Sequence, residues 1–249
     1  MAKIMTDDRD FVVLVDVGGL GGIPQEWEAV HDRLTPVVFE PNPAEAAPLR
    51  GKISRYGNGQ GLVIQKGLAA VSGSRTLSIT KSVACSTTLT PNDEFLAGYS
   101  ISEAFKVTAV EIVECSRYDT LFHNGEVPRP DVVKVDVQGL EYEVLLGFGE
   151  LLSDCLGVQL ESQFYPIYRD QKLFGDVIDL LSRFGLVLRK VAPSHHFDGD
   201  LVELDAWFTV DKARESKLDS VRREKMDLIH RVWGLAEREV VFGPDFFQK

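Results

Sequence analysis

The chain has 249 residues, 44% of them hydrophobic and 26% charged, and a formal net charge of −11 at pH 7. This length and composition suit one α/β domain with a large core and argue against a disordered chain. The acidic balance argues against a nucleic-acid partner, because affinity for phosphate backbones depends on Lys and Arg. No segment reaches the ~18 consecutive apolar residues of a membrane span, so we expect no membrane association.

The N-terminus and the cysteines predict the cellular compartment. Residues 1–8 contain no apolar segment of the kind found in signal peptides. The cysteines Cys85, Cys115 and Cys155 are odd in number and far apart in sequence, which favours free thiols over a disulfide framework or a zinc site. We therefore predict a cytoplasmic protein.

Short β-branched runs alternate with helical stretches, a pattern typical of a doubly wound, Rossmann-like and mostly parallel sheet. Loops on such a scaffold carry recognition, so we expect substrate-specific structure in the Ser- and Thr-rich segment 76–121, a predicted β insertion. The predicted helices are 25–34, 140–152 and 172–184. The predicted strands are 11–17, 37–40, 62–65, 76–79, 107–115, 132–137, 157–161, 186–191 and 204–210.

A different pattern begins at Asp211. Apolar residues recur at helical spacing among charged ones, which indicates an amphipathic helix, at Leu218, Val221, Leu228, Ile229, Val232 and Ala236. We predict one catalytic domain over residues 1–210, and a helix with an apolar tail over 211–249 that packs on it. The alternative use of this apolar face is a homodimer interface.

The first motif is a glycine turn between two predicted strands. Strand 11–17 runs into Gly18 and Gly22, and the next strand ends on Glu40. Glycine lets backbone approach a ligand closely, and an acid after the second strand of a doubly wound sheet binds ribose hydroxyls. The spacing does not match G-x-G-x-x-G, because Pro24 stands at the third glycine position. The motif therefore predicts a nucleotide-type site that is not a dinucleotide site, against the alternative of a simple tight turn.

Asp16, at the end of the first predicted strand, indicates which cofactor binds. A carboxylate there would repel a pyrophosphate, but it would attract the amino group of S-adenosylmethionine, which carries no phosphate. The order of acid and glycine thus favours S-adenosylmethionine over NAD.

The second motif follows the predicted strand 132–137. This strand contains Lys134 and Asp136 and leads to Gln138, and the next strand ends on Glu161. Ligands bind beyond the carboxyl ends of such strands, so these side chains are expected to face the crevice of the first motif. Lys134 shares a face with Asp136 and needs an acidic partner, either Asp136 or Glu161. We name these residues as catalytic candidates, and the alternative is a structural ion pair that supports the crevice.

The chain resembles the FkbM family of S-adenosylmethionine-dependent methyltransferases. The resemblance implies a class I methyltransferase fold, in which Asp16 and Gly18 hold the methionine part of the cofactor and Glu40 holds the ribose. Gly22, Pro41, Asp136 and Gln138 are further candidate cofactor contacts. The matching segments follow the family's order and spacing from residue 11 to about residue 210, and they are 15–18, 21–27, 39–43, 67–68, 76–77, 85–89, 133–141, 159–161, 164–174 and 204–208.

Methyl transfer to oxygen, which the resemblance favours, needs a base near a small-molecule or glycan hydroxyl. The candidates are Asp136, Glu161 and the loop residue His196, which is paired with His195. The alternative is that both histidines are ordinary solvated loop residues. A second hypothesis is that Asp136 and Glu161 share a divalent ion. Because the sequence shows no third ligand, we predict no metal. Aromatic residues at 164–168 either line the substrate pocket or pack on the sheet.

Two other classes of protein remain open from the sequence. One is an NAD-dependent oxidoreductase or nucleotide-sugar enzyme on a Rossmann sheet, which the glycine spacing and Asp16 disfavour. The other is a non-catalytic binding module that retains the methyltransferase fold.

Overall fold

The computed structural model describes residues 11–235. Two sheets contain the strands β1 (Val12–Val17), β2 (Leu34–Phe39), β3 (Leu62–Ile64), β4 (Gly67–Leu68), β5 (Gly73–Thr80), β6 (Val107–Ser116), β7 (Val132–Val135), β8 (Gly157–Gln163), β9 (Leu186–Pro193) and β10 (Glu203–Val210). The larger sheet has seven strands in the order β3-β2-β1-β7-β8-β10-β9, and the smaller has three in the order β4-β6-β5.

The α-helices of the described residues lie between and after these strands. They are α1 (Pro43–Ile53), α2 (Asp93–Leu96), α3 (Tyr118–His123), α4 (Glu141–Phe148), α5 (Phe174–Arg183), α6 (Lys212–Glu215) and α7 (Ser220–Val232). Segments of 3₁₀ helix span Gln25–Arg33, Gly57–Gly59, Val83–Cys85, Ser100–Phe105 and Gly149–Ser153.

The five central strands of the large sheet decide where a ligand site forms. β1 pairs in parallel with β2 and β7, and β7 pairs in parallel with β8, whereas β10 runs antiparallel between β8 and β9. All six residues of β1 are buried, as expected for a parallel strand that is covered on both faces. The carboxyl ends of β1, β2, β7 and β8 therefore meet at one edge.

The C-terminal helix α7 shares the main core with the sheet. Met226 and Ile229 belong to the same buried cluster as the strands, and Trp27 meets Trp233 edge to face with ring centroids 6.2 Å apart. The boundary predicted at residue 211 stays a prediction, and Ala236 and the apolar tail lie outside the described residues. Between residues 11 and 235, no helix is both long and apolar enough to cross a membrane.

Most of the small sheet lies in the insertion predicted over 76–121, although β4 and the first residues of β5 precede it. β5 and β6 pair antiparallel over eight register positions from Gly73–Cys115 to Thr80–Val107. Their inward side chains include the buried residues Leu77, Val113 and Cys115, which form a separate apolar cluster with Ala69. The segment thus forms a second layer beside the carboxyl edge of the large sheet.

Every predicted strand is present, with shifted ends. Agreement with the structure is poorer for the predicted helices 25–34 and 140–152. The segment 25–34 is 3₁₀ rather than α-helical and is interrupted at Val30, where φ is −126°. The helix predicted over 140–152 ends as α-helix at Phe148, because Gly149 has a φ of +54° and the chain continues as 3₁₀. Helix α1 was not predicted, since Pro43 and Pro48 obscure its pattern.

Candidate active site

A cavity of about 470 Å³ opens at the carboxyl ends of the parallel strands. Its size falls within the range of small-molecule and cofactor sites. Of the candidate residues named from the sequence, the cavity is lined by Gly18, Glu40, Pro41, Asp136, Gln138, Glu161 and His196. The same edge position of β1, β2, β7 and β8 brings most of these together.

Three candidate residues do not line the cavity. Asp16 is fully buried and Lys134 lies beside it, beneath the cavity floor. Gly22 faces α1, where a Cβ would lie 3.7 Å from Lys52 and 3.8 Å from Leu49. A role of Asp16 in the site therefore runs through Lys134 rather than through direct contact with a ligand in the cavity.

Lys134 joins the two sequence motifs. Its Nζ lies 3.3 Å from Oδ1 of Asp16 and 3.5 Å from Oδ2 of Asp136, and it donates to the Gly18 carbonyl oxygen at 3.4 Å. Burial opposes the charge on Lys134, but the two carboxylates outweigh burial and raise the Lys134 pKa. Burial also raises the pKa of Asp16, and Lys134 offsets part of that rise. Of the two acidic partners expected for Lys134, Asp136 and Glu161, the structure pairs it with Asp136. The contact with Asp16 was not predicted.

The glycine turn packs directly on the end of β7. Gly18 has a φ of +81°, and a Cβ at this position would lie 1.9 Å from the carbonyl oxygen of Asp136. Its amide donates to the carbonyl oxygen of Phe39 at 3.1 Å. Glycine satisfies both the left-handed φ and the close backbone contact, so this position of the turn requires it.

Glu40 lies between the end of β2 and the start of α1. Its Oε1 accepts a hydrogen bond from the backbone amide of Asn42 at 2.8 Å, and Asn42 in turn caps α1 by accepting from Ala44. The carboxylate is 7% exposed, and burial raises its pKa. One carboxylate oxygen is thus held by the backbone, which leaves the other for a ligand.

Gln138 lies at the centre of a side-chain network. Its Nε2 donates to Oε2 of Glu161 at 2.6 Å and to Oδ1 of Asp136 at 3.2 Å. Its Oε1 accepts from the hydroxyl of Tyr168 at 2.7 Å. Tyr168 is fully buried, so this part of the aromatic segment supports the site and does not line the cavity.

Glu141 closes the loop that carries Gln138. Its Oε1 accepts from the backbone amides of Val137 at 3.2 Å and Gly139 at 3.1 Å. The side chain is buried, and burial raises its pKa to about 7. The acid at the first position of α4 thus fixes the loop, in addition to the favourable interaction with the helix dipole that the sequence suggests.

Glu161 is the carboxylate with the strongest electrostatic perturbation in the cavity wall. Burial raises its pKa well above the usual range, and the neighbouring carboxylates of Asp136, Glu203, Glu141 and Asp205 raise it further. Strong perturbation inside a cleft is typical of functional residues.

Glu203 is a cavity residue that the sequence interpretation missed. It is 4% exposed, it accepts from Nε2 of Gln163 at 3.2 Å, and its Oε1 lies 3.6 Å from Nδ1 of His196. The exposed ring of His196 also lies 2.8 Å from the hydroxyl of Ser194. The sequence feature that could have indicated Glu203 is its position as an acid just before the apolar strand predicted over 204–210.

The far wall of the cavity comes from the inserted segment and from the loop before β10. It combines apolar side chains with hydroxyl and thiol groups, from Leu77, Ile79, Val83, Cys85, Ser86, Thr87, Thr88, Ile101, Phe105, Val113, Cys115 and Phe197. Among residues 11–235, no group of three or more His, Cys, Asp or Glu side chains is placed to hold a metal ion.

The strand order, with one antiparallel strand next to the sheet edge, and a cavity at the carboxyl ends of the parallel strands are those of the class I methyltransferase fold. The model of the methyltransferase FkbM domain matches residues 23–188. The chain belongs to this family, and its methyl donor is S-adenosylmethionine. The site fits this cofactor, because a glycine turn, the singly bonded carboxylate of Glu40 and several acidic side chains suit a cationic nucleoside.

A comparison with solved structures finds methyltransferases at low sequence identity. Magnesium protoporphyrin IX methyltransferase from Synechocystis PCC 6803, with bound S-adenosylmethionine, has a TM-score of 0.43 and 10% identity, covering 82% of this chain and 72% of that one. A precorrin-6y C5,15-methyltransferase from Geobacter metallireducens GS-15 has a TM-score of 0.41 and 10% identity, covering 81% of each chain. No curated protein matches the chain. The family assignment rests on the sequence match alone.

Proposed function

We propose that the protein methylates a hydroxyl oxygen of a small molecule or glycan, with Glu161 as the general base. The observation that carries this proposal is the position of Glu161 in the cavity wall, together with the rise of its pKa by burial and neighbouring carboxylates. A carboxylate with a raised pKa is a better proton acceptor near neutral pH than an ordinary one.

The cofactor contacts are proposed from the geometry of the first motif. The backbone of Gly18 borders the methionine part, and Glu40 binds the ribose hydroxyls with the oxygen that Asn42 does not use. Pro41, Asp136 and Gln138 complete this side of the cavity. S-adenosylmethionine supplies an electrophilic methyl group and its own leaving group, so the protein mainly aligns the acceptor and excludes water.

Glu161 is favoured over the other candidate bases by its surroundings. Asp136 already engages Lys134 and Gln138. The side chain of His196 is 67% exposed, which leaves it poorly sheltered from water. In the proposed step the acceptor oxygen would form the bond to the methyl carbon as the methyl–sulfur bond breaks, S-adenosylhomocysteine would leave with the electron pair of that bond, and the acceptor's proton would pass to Glu161.

Two further proposals concern location and acceptor. Cytoplasmic location is supported by the free cysteines Cys85, Cys115 and Cys155. The mixed apolar and hydroxyl-bearing wall formed by the insertion favours an acceptor with an apolar body. A homodimer through the C-terminal residues stays a prediction.

Ligand-dependent thermal stability tests the cofactor and the enzyme class together. A ligand at ~100 times its dissociation constant adds about 2.7 kcal/mol, which moves the midpoint by roughly 2–4 °C per kcal/mol for a domain of this size. We expect a shift of several degrees with S-adenosylhomocysteine and none with NAD or NADP. Transfer of labelled methyl groups into a cell extract then reports catalysis. A shift with NAD alone would contradict the proposal.

A further inference from the structure

We propose that Gln138 is a positioning residue, whose side-chain amide clamps Glu161 to Asp136 and thereby keeps Glu161 able to accept a proton. This inference rests on the proposed role of Glu161 as the base. Gln138 touches both carboxylates, at 2.6 Å and 3.2 Å, through one nitrogen.

The hydrogen-bond partners determine which way the amide faces. Glu161 must be ionised to act as a base, and an ionised carboxylate only accepts hydrogen bonds, so in this state the NH₂ group faces Glu161 and Asp136. The amide oxygen then faces the hydroxyl of Tyr168 at 2.7 Å, and the single hydroxyl proton goes to this oxygen, which is nearer than the carbonyl oxygen of Cys85 at 3.1 Å. The two N–H groups thus match two carboxylates, one each, and the amide has no spare donor.

Two separate parts of the chain hold Gln138 in a strained backbone conformation. Its φ of +58° is left-handed, a conformation that a side-chain-bearing residue adopts only when the surroundings enforce it. The hydroxyl of Thr87, from the insertion, donates to its carbonyl oxygen at 2.6 Å. Tyr168 packs so closely on the next residue, Gly139, that a Cβ there would lie 2.7 Å from the ring.

The charges around Glu161 explain why such a clamp is needed. In the described part of the chain, Gln138 provides the only side-chain hydrogen bond to the Glu161 carboxylate. The cation Lys134 lies behind Asp136 and pairs with it, and His196 lies beyond Glu203. The titratable groups that act on or face Glu161 are neutral or negative at pH 7, and they are Asp136, Glu141, Glu203, Asp205, Tyr168 and Cys85.

Removing both donors with Gln138→Met keeps the length of the side chain and leaves two carboxylates facing each other. Hydrogen bonds to the charged form lower a carboxyl pKa, and a nearby like charge raises it. We therefore expect the titration midpoint of Glu161 to rise by about one pH unit or more. The acidic limb of the pH–rate profile should move by the same amount, with the rate recovered at high pH.

The direct measurement is a ¹³C NMR titration of the glutamate side-chain carboxyls, in which Glu161→Gln identifies the Glu161 signal. The matched control is Gln60→Met, the same change at an exposed position, and it should leave the midpoint in place. Tyr168→Phe retains the amide but loses the hydroxyl that orients it, so we expect a smaller rise in the same direction. This variant also serves if Gln138→Met does not fold.

The outcomes separate this inference from the proposed function. An unchanged Glu161 midpoint in both Gln138→Met and Tyr168→Phe overturns the clamp, and so does a loss of rate that is equal at every pH. A raised midpoint in a protein that transfers no methyl group leaves the clamp standing and contradicts the proposed activity.

Discussion

Asp16 and Lys134 are register partners on the adjacent strands β1 and β7, and their charged groups lie 3.3 Å apart. Among the described residues, no donor other than Lys134 reaches either oxygen of Asp16, so the interaction with Lys134 is its main compensation. Since Lys134 also contacts Gly18 and Asp136, the pair connects the glycine turn to the loop that follows β7.

We expect Lys134→Met to lower the free energy of unfolding by about 3–5 kcal/mol, because it leaves a buried carboxylate without its counterion. The double variant Asp16→Asn with Lys134→Met removes both charges and should recover much of this loss. Urea denaturation of the three proteins measures the effect. Equal stability of the single and double variants would contradict the role of the pair.

The Gly18→Ala substitution should prevent binding of S-adenosylhomocysteine and destabilise the fold. The added Cβ would lie 1.9 Å from a backbone oxygen, which cannot move aside without displacing β7. Gly51→Ala in α1 is the matched control, since no atom lies within 4 Å of its Cβ position and alanine favours a helix interior by up to ~1 kcal/mol. Calorimetric binding and thermal melts of both variants report the difference.

Replacing Glu40 with Gln should weaken binding of S-adenosylhomocysteine by roughly 10- to 100-fold, the equivalent of about 1.5–3 kcal/mol for a hydrogen bond to a charged group. The amide can still accept from Asn42, so the start of α1 should keep its structure. Isothermal titration calorimetry measures the change, with the exposed Glu150→Gln as control. Unchanged affinity would remove Glu40 from the ribose site.

Glu161→Gln should slow methyl transfer by roughly 10²- to 10⁴-fold, the usual contribution of a general base. Affinity for S-adenosylhomocysteine should change little, because Glu161 itself is not among the proposed cofactor contacts and the glutamine side chain can still accept a hydrogen bond from Gln138. Single-turnover label transfer and calorimetry measure the two quantities separately. His196→Ala provides the comparison, and a larger rate loss there than at Glu161 would reassign the base.

The buried Glu141 should make stability depend on pH. Burial raises its pKa in the folded protein from 4.5 to about 7, so the folded state retains a proton that the unfolded state releases between these values. The free energy of unfolding therefore falls as the pH rises through this window, by ~3 kcal/mol at about 1.4 kcal/mol per pH unit. In Glu141→Gln this contribution is absent, and the difference between the two urea-denaturation profiles across pH 4.5–7 isolates it.

The strands of the large sheet were predictable because buried parallel strands consist of continuous runs rich in β-branched residues, as in β1 and β7. Their polar ends also indicated Glu40, Asp136 and Glu161, since parallel strands place these ends at one edge. Spatial partners were harder to predict, because Tyr168 and Thr87 reach Gln138 from distant segments whose sequence shows no periodic relation to it.

Asp16 illustrates a different limit. Its position before the glycines suggests contact with a ligand, but a single residue of register decides on which face of the sheet a side chain lies. The predicted helix ends were wrong for local reasons. At Gly149, for example, a positive φ ends the α-helix that the apolar pattern of the sequence would continue.

The origin of the far cavity wall has an evolutionary consequence. The residues that border the proposed cofactor position come from the carboxyl ends of the large sheet, whereas much of the opposite wall comes from one continuous stretch between β3 and α3. Such a stretch can be exchanged or lengthened without altering the parallel strands, so acceptor preference can diverge while methyl donation is inherited. An exchanged stretch would still need a hydroxyl donor at the position of Thr87, because the Thr87 hydroxyl holds the backbone of Gln138.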